Sequence, residues 1–296
     1  MIRNTLLAGL LACAATPALA QNGPPPSPYA PLQDRPTCTR DELKAATDAY
    51  VEAQRTGNIG RLALHEKVRF VQDMADVTRE AGLWNTALPI AHAMSFHDDK
   101  RCKTFTEIVV TEGGKPYVIG TRLYLHEGKV LRVDSLVTTT GHWLFNANAY
   151  LKYSSAEDWG AIFKYQKTPP SEMMRGADTY LSAFNDKFVD IPWGTPCARL
   201  EGGAYSNRQG DPHASCEVGI PPGVLYIVNR DYLIDEEKGV INVFCRFGSS
   251  TGGPDSHTFR FIDGKIRAVH TLSVLNGPQA NDEGGMVRGS VDPNAG

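Results

Sequence analysis

Long apolar runs and an excess of one charge are both missing from this sequence of 296 residues. Beyond the first twenty residues, no segment reaches the roughly 18 consecutive apolar residues that predict a membrane-spanning helix, so we expect no membrane insertion. The 30 Lys and Arg residues nearly balance the 33 Asp and Glu residues, for a net charge of −3. Nucleic-acid-binding proteins usually carry a clustered surplus of basic residues, so we expect no nucleic-acid partner either.

Common cofactor and metal motifs are also missing. The Gly-rich stretch at residues 112–115 is not followed by a P-loop or a dinucleotide-binding pattern, so it is interpreted as a turn. No pair of cysteines, and no Cys and His spacing, is typical of a structural zinc site. The sequence therefore predicts a protein that works without a cofactor, and it predicts no metal site.

The chain ends have the composition of processed or unstructured segments. Arg3 precedes a short apolar run at residues 6–15, and an Ala-Leu-Ala cleavage pattern ends at Ala20, which predicts a secretory signal peptide. An uncleaved anchor is the alternative. We therefore expect a protein that is secreted or resides in the lumen of the secretory pathway. The expected segments at the two ends are a signal peptide at 1–20, a Pro-rich lead-in at 21–37 and a flexible tail at 276–296.

Cysteine usage agrees with export. Once the signal peptide is removed, five cysteines remain, and export favours disulfides. We pair Cys38 with Cys102 and Cys197 with Cys216, one bridge in each half of the chain, although the sequence leaves the connectivity open. Cys245 then stays free, in an apolar run at 240–245 where a buried thiol is common.

The chain carries an internal repeat. Residues 128–136 (GKVLRVDSL) align without gaps on residues 264–272 (GKIRAVHTL), and the helical phrase at 49–53 resembles the one at 179–183. A duplication of about 130 residues fits the length. Each half begins with a helical pattern and continues with strand patterns, which predicts an α+β fold with a helix pair packed in a strongly curved mixed or antiparallel sheet. The predicted domains are 38–149 and 172–275, joined by a linker at 150–171.

These segments resemble a known superfamily. Tyr50, the Gly-Leu-Trp stretch at 82–84 and the strand at 128–136 are similar to the SnoaL-like, cystatin-cone proteins, which include ketosteroid isomerase, scytalone dehydratase and polyketide cyclases. The phrases at 143–147, 192–203 and 254–257 resemble exported two-domain fungal proteins of unknown function, some of which serve specialised metabolism. The resemblance implies a duplicated cone fold in which each sheet encloses a helix and leaves an apolar cavity.

The last predicted hairpin supplies the main candidate catalytic residues. A two-residue turn at Asp263-Gly264 would pair His257 with His270 on the inner, apolar face of the sheet. Two neighbouring imidazoles suit general acid–base catalysis; the alternatives are two structural histidines or a metal site lacking a third ligand. Burial should lower at least one of the two pKa values below 6.5. The equivalent pair in the first half is Thr121 opposite Asp134, which makes Asp134 a further candidate catalytic residue.

The other candidates are ligand-binding residues. Arg199 and Glu201 alternate on one strand face, where they either line the cavity or form an ion pair at its rim. Tyr50 and Tyr180 occupy matching helix positions, where a phenol either binds a carbonyl ligand or packs in the core. Trp143 and Trp193 either stack on a flat ligand or pack internally.

These observations predict a cofactor-independent enzyme, monomeric or homodimeric, acting on a small apolar or aromatic metabolite. The expected chemistry is dehydration, isomerisation or cyclisation, and the fungal resemblance extends it to a hetero-Diels–Alder-type cycloaddition. The alternatives are a secreted protein that binds a small ligand without turnover, and a structural or interaction protein whose cavities are filled.

Overall fold

The computed structural model describes residues 37–217 and 225–287, which form two mixed six-stranded sheets of the same topology. Their strand orders are β2-β1-β6-β5-β4-β3 and β8-β7-β12-β11-β10-β9. The first sheet comprises Leu64–Gln72 (β1), Ala75–Val77 (β2), His92–Asp98 (β3), Lys103–Val110 (β4), Tyr117–His126 (β5) and Lys129–Thr139 (β6). The second comprises Trp193–Glu201 (β7), Ala204–Tyr205 (β8), Ile227–Asp235 (β9), Val240–Phe247 (β10), Gly253–Ile262 (β11) and Lys265–Ser273 (β12). The predicted duplicated α+β cone fold is confirmed.

One long helix packs on the inner face of each sheet. Helix α1 (Arg40–Thr56) begins at a capping box between Thr39 and Glu42 and ends at Gly57 in the left-handed conformation. Helix α3 (Pro170–Ser182) starts with a proline at its first position, where the missing N–H is tolerated. In the described residues, a single α-helix per cone takes the place of the predicted pair. The short helix α2 (Ala147–Ser154) precedes α3 and contacts β4, β5, β7 and β8.

A β-bulge in each half changes the predicted register. Asp263 and Gly264 both have positive φ, as do Glu127 and Gly128, so both two-residue turns form as predicted. Beyond each turn, one extra residue enters the later strand: Arg267 in β12 and Leu131 in β6. Because side chains alternate with a period of two, one inserted residue moves every later side chain to the opposite face.

The two sheets pack against each other through their outer faces. Apolar side chains from both halves, including Phe105, Leu136, Leu233 and Phe244, form a shared cluster there. The edges of β3 and β9 exchange equivalent hydrogen bonds: the His97 amide donates to the Asp235 carboxylate, and the Ile234 amide donates to the Asp98 carboxylate, each at 2.9 Å. The two halves therefore form one folded unit.

Residues 276–287 correct the expectation of a flexible tail. Asn276 bridges to His142, and the Leu144 amide donates to the Pro278 carbonyl at 2.6 Å. Ala280 is buried. The Gly- and Asn-rich composition suggested disorder, but these hydrogen bonds tie the segment to the loop before α2. The predicted signal peptide, nearly all of the lead-in and the last nine residues lie outside the described residues.

Two disulfides join the predicted pairs, Cys38–Cys102 and Cys197–Cys216, and Cys245 is free and buried. Such bridges are typical of an oxidising compartment. Among the described residues, no helix is both long and apolar enough to cross a membrane.

Loop length predicts which bridge stabilises the fold more. The bridges close sequence separations of 64 and 19 residues. In the chain-entropy model, replacing both cysteines by alanine should lower the free energy of unfolding by about 4 kcal/mol for Cys38–Cys102 and about 3 kcal/mol for Cys197–Cys216. Urea unfolding of the two double variants would measure the difference. The reverse order of stability would show that loop closure does not dominate.

Candidate functional site

The inner face of the second cone differs from that of the first at equivalent positions. Cys245 pairs with Asp255, where Ile108 pairs with Ile119 in the first half. His257 lies opposite Thr271, where Thr121 lies opposite Ser135. The fold therefore tolerates apolar or hydroxyl side chains at these positions, and only the second half places titratable groups there.

The two helix tyrosines show the same difference. The Tyr50 hydroxyl lies 2.6 Å from the Thr121 hydroxyl, which in turn lies 2.7 Å from the Ser135 hydroxyl, so the first cone has a closed hydroxyl chain. The Tyr180 ring instead packs on His257, with ring centroids 5.4 Å apart, and no described residue hydrogen-bonds its hydroxyl. Burial raises the pKa of Tyr180, so the phenol remains protonated and able to donate.

Arg199 and Glu201 lie on the inner face of β7 and form an ion pair, which was one of the two sequence interpretations; neither is among the residues that line the cavity described below. They pair with Val269 and Thr271 of β12, which face the same side. Arg199 Nη2 donates to Glu201 Oε2 at 3.2 Å, while Arg199 Nε and Nη1 are buried without a partner in the described part of the chain. Both charges act on the Tyr180 phenol. The arrangement thus presents unused donors and a partly exposed carboxylate beside Tyr180.

A cavity of about 180 Å³ opens at the end of this cone. Tyr180 and Trp193 line it, with ring centroids 5.7 Å apart in an edge-to-face arrangement. The other lining residues are Ala183, Phe184, Lys187, Val189, Asp190, Ile191 and Glu217. Its volume lies below the range typical of sites for drug-sized ligands, which limits what it encloses to a small molecule or one ring of a larger one.

Deeper in the cone, His257 lies beside Asp255 and Cys245. His257 Nδ1 is 3.8 Å from Asp255 Oδ1 and 3.9 Å from Cys245 Sγ. Burial lowers the pKa of His257 to about 3, which confirms that one of the two histidines is held neutral. Burial also raises the pKa of the Asp255 carboxyl.

His270 does not join His257, which corrects the predicted histidine pair. The bulge at Arg267 pairs His270 with Thr258, so its side chain points away from the cone. It lies between the sheets, donating to Glu107 Oε1 at 3.1 Å and to Glu157 Oε2 at 2.6 Å. Although burial opposes the charge, the two carboxylates raise the pKa of His270 to about 10. A permanently charged, doubly paired imidazolium is a structural ion pair rather than a general base.

Asp134 also lies outside the cones. The equivalent bulge pairs it with Arg122 instead of Thr121, and its carboxylate contacts Arg132. Burial raises its pKa while Arg132 and Arg122 oppose the shift. The neighbouring Arg122 is fully buried and binds Asn242 of the second half at 2.9 Å. This outer face therefore joins the two halves.

The remaining predicted ligand-binding residues are separate from the second cone. Tyr50 is a buried residue of the hydrophobic core of the first cone, and its hydroxyl is bonded to Thr121. Trp143 is 39% exposed, and its backbone amide donates to the Leu275 carbonyl at 2.6 Å. Of the predicted residues, the structure brings together Tyr180, Trp193, Arg199, Glu201 and His257.

Sequence reasoning missed two groups of residues. Asp255 lies two positions before His257, so strand alternation alone places both on one face, and that signal was present. Glu107, Glu157 and Tyr150 reach His270 only through packing between the halves, for which the sequence holds no local signal.

Residues 248–252 (GSSTG) match the GxSxG pattern, but they lie between the antiparallel strands β10 and β11. In the nucleophile elbow of α/β-hydrolases, the pattern stands at a strand-to-helix turn instead.

Fold and site together define a duplicated cone protein whose second half has a small cavity lined in part by aromatic side chains. A family model described as a domain of unknown function (DUF8021) matches residues 166–273, which lie in that half. No curated protein matches the chain.

Solved structures similar to the chain each correspond to about a third of it. A putative polyketide cyclase from Xanthomonas campestris is 17% identical, covers 38% of this chain and 96% of its own, and has a TM-score of 0.28. A putative ketosteroid isomerase from Kribbella flavida is 18% identical, with coverages of 33% and 78% and a TM-score of 0.26. An NTF-2-like protein of unknown function from Burkholderia xenovorans is 13% identical, with coverages of 33% and 84% and a TM-score of 0.27.

Proposed function

We propose that this protein is an exported enzyme that transfers protons on a small, oxygenated, apolar metabolite in its second cone. The reaction classes are isomerisation, dehydration and cyclisation. The observation that carries the proposal is the convergence on one cone of an unbonded Tyr180 hydroxyl, the unpartnered donors of Arg199 and the Glu201 carboxylate. In the first cone the equivalent tyrosine, Tyr50, is already bonded to the Thr121 hydroxyl, which in turn contacts Ser135.

Each of these groups has a role in such a reaction. Glu201 accepts a proton from a carbon next to the substrate oxygen, and negative charge develops on that oxygen. Tyr180 and Arg199 donate hydrogen bonds to it, which stabilises the transition state in a site shielded from water. Return of the proton from Glu201 to another carbon completes an isomerisation. Transfer of that proton to a hydroxyl group on the neighbouring carbon, which then leaves as water, completes a dehydration. Trp193 holds the apolar part of the substrate by ring contact.

The second cone shapes the choice of substrate. Tyr180 and Trp193 are in edge-to-face contact, and both line a cavity of about 180 Å³. We therefore expect the reacting part of the substrate to be a single unsaturated ring that carries one oxygen. A panel of single-ring enones, hydroxyketones and phenols, followed by mass spectrometry and by Trp fluorescence, tests this expectation. Saturable binding without any product would instead favour the ligand-binding alternative.

Replacing each of the two helix tyrosines by phenylalanine should affect turnover in one case and stability in the other. Tyr180→Phe removes a hydroxyl without a described partner, so the free energy of unfolding should change little, while turnover should fall by about a hundredfold. Tyr50→Phe removes a buried hydrogen bond, so stability should fall by about 1 kcal/mol with turnover unchanged. Urea unfolding and initial rates of both variants measure the two effects. Equal loss of turnover in both variants would contradict the assignment of activity to the second cone.

A further inference from the structure

We propose that Cys245, Asp255 and His257 form a binding site for one divalent transition metal ion, with zinc as the preferred ion. One ligand atom from each residue lies within 4.8 Å of the other two, and all three side chains are buried. Cys245 and Asp255 face each other across β10 and β11, and His257 follows Asp255 on the same face. Two neighbouring strands therefore present three different donors to one point.

The donor chemistry is that of zinc. Thiolate, imidazole and carboxylate are its three protein ligands, and the mixed soft and borderline set disfavours magnesium and calcium. The four other cysteines of the described residues are held in disulfides, so Cys245 is the thiol available to a metal.

The distances between the ligand atoms are slightly longer than those of a tetrahedral zinc site. With a Zn–S bond of about 2.3 Å and a Zn–N bond of about 2.0 Å, the sulfur and nitrogen ligands lie about 3.5 Å apart. The observed separation between His257 Nδ1 and Cys245 Sγ is 3.9 Å, and that between His257 Nδ1 and Asp255 Oδ1 is 3.8 Å. The sulfur and nitrogen atoms would therefore approach each other by about 0.4 Å on binding the ion.

The Asp255 carboxylate provides independent support. Ser273 Oγ donates to Asp255 Oδ1 at 3.2 Å, which orients the group as outer hydrogen bonds orient metal ligands. Asp255 Oδ2 is buried and has no partner in the described residues. An unpartnered buried carboxylate oxygen is costly, and coordination to a cation removes that cost. The fold itself does not need the group, because Ile119 occupies the equivalent position in the first cone.

Three protein ligands leave a fourth position for water or a substrate oxygen, as in catalytic zinc sites. The Tyr180 ring packs on His257 and also lines the cavity, so the site adjoins the proposed ligand space. The metal inference does not depend on the proposed enzymatic function, because metal binding is measured without a substrate.

The full chain carrying Cys13→Ser tests the site, since Cys245 is then the only thiol outside the two disulfides. After dialysis with zinc and then against metal-free buffer, elemental analysis should find about one zinc per chain. Replacement by cobalt(II) should produce the visible bands of a tetrahedral ion and a thiolate-to-cobalt charge-transfer band. A folded chain that retains no metal, or a cobalt spectrum without the charge-transfer band, would overturn the proposal.

Variants identify the ligands. His257→Thr introduces the residue found at the equivalent position of the first cone, and Cys245→Ser keeps the shape of the side chain. Each variant removes one proposed ligand and should weaken metal binding at least about tenfold. Thr121→Val alters the first cone and should leave metal binding unchanged. Unchanged stoichiometry and affinity in folded His257→Thr would place the metal elsewhere and refute the site. Glu201→Gln should lower turnover at least about a hundredfold but retain the metal. The enzymatic proposal and the metal proposal can therefore fail independently of each other.

Discussion

His270→Gln is expected to lower the free energy of unfolding by about 3–5 kcal/mol, the usual cost of removing one partner from a buried ion pair. The change leaves the Glu107 and Glu157 carboxylates buried without their cation. Trp159 and Tyr205 still donate to Glu157, at 2.8 and 3.0 Å, but they carry no charge. Urea unfolding at neutral pH measures the loss.

Two further variants separate charge from packing. His213→Gln changes an exposed histidine and should leave stability within about 0.5 kcal/mol of the unmodified chain. Combining His270→Gln with Glu107→Gln and Glu157→Gln removes all three charges, so much of the lost stability should return. A triple variant as unstable as His270→Gln would show that the loss arises from packing alone.

Because of the same ion pair, the stability of the fold should decrease as the pH becomes alkaline. The folded-state pKa of His270 is raised to about 10 from an ordinary 6.5. A raised histidine pKa means that the folded chain holds the proton more tightly, so the stabilisation is complete below pH 6.5 and is lost as pH rises through 10. The stability difference between the unmodified chain and His270→Gln should therefore shrink between pH 6.5 and pH 10. A constant difference over that range would indicate that the imidazole is not charged in the folded state.

Glu201→Gln is expected to lower turnover by at least a hundredfold, on the order usual for removing a general base. The amide keeps the shape and still accepts a hydrogen bond from Arg199, but it cannot take a proton. Because only proton transfer is lost, the substrate Kd should change much less than the turnover number. Initial rates together with a fluorescence titration separate the two effects.

The matched control for this variant is Glu217→Gln at the cavity wall. Glu217 lines the cavity and is not a member of the Arg199 and Glu201 ion pair. Its replacement should change substrate affinity rather than the rate of the bound complex. A Glu201→Gln enzyme with full turnover would remove Glu201 from the mechanism and leave Tyr180 and Arg199 as binding groups.

Much of the architecture followed from local patterns. Both hairpin turns were predicted from Glu127-Gly128 and Asp263-Gly264, because adjacent positive φ angles favour glycine at the second position. The repeat at 128–136 and 264–272 predicted two equivalent halves, and the strand orders of the sheets are the same. The disulfide pairs were also correct, since each bridge lies within one half.

The candidate site was predicted only in part. Tyr180 was found because it matches Tyr50 in the repeat, and Arg199 and Glu201 because strand alternation places them on one face. Trp193 was a candidate as an aromatic residue able to stack on a flat ligand. His270 and Asp134 were assigned to the wrong face of their sheets, because each hairpin contains one inserted residue that the prediction did not include. A bulge of one residue costs little locally and leaves no clear signal at Leu131 or Arg267, yet it inverts the face of every residue beyond it.

The sequence by itself determined the repeat, the turns, most strands and the shared strand face of Arg199 and Glu201, because each of these is encoded in a pattern of residues that are close together within a segment. Only the tertiary structure decided that His270 is a charged partner of Glu107 and Glu157, which lie 163 and 113 residues away in the chain. It also decided that Cys245 meets Asp255 and His257, and that the Tyr50 hydroxyl is bonded to Thr121 while the Tyr180 hydroxyl has no partner in the described residues. Burial, charge and distance between remote segments set these properties, and they arise only when the two sheets have packed together.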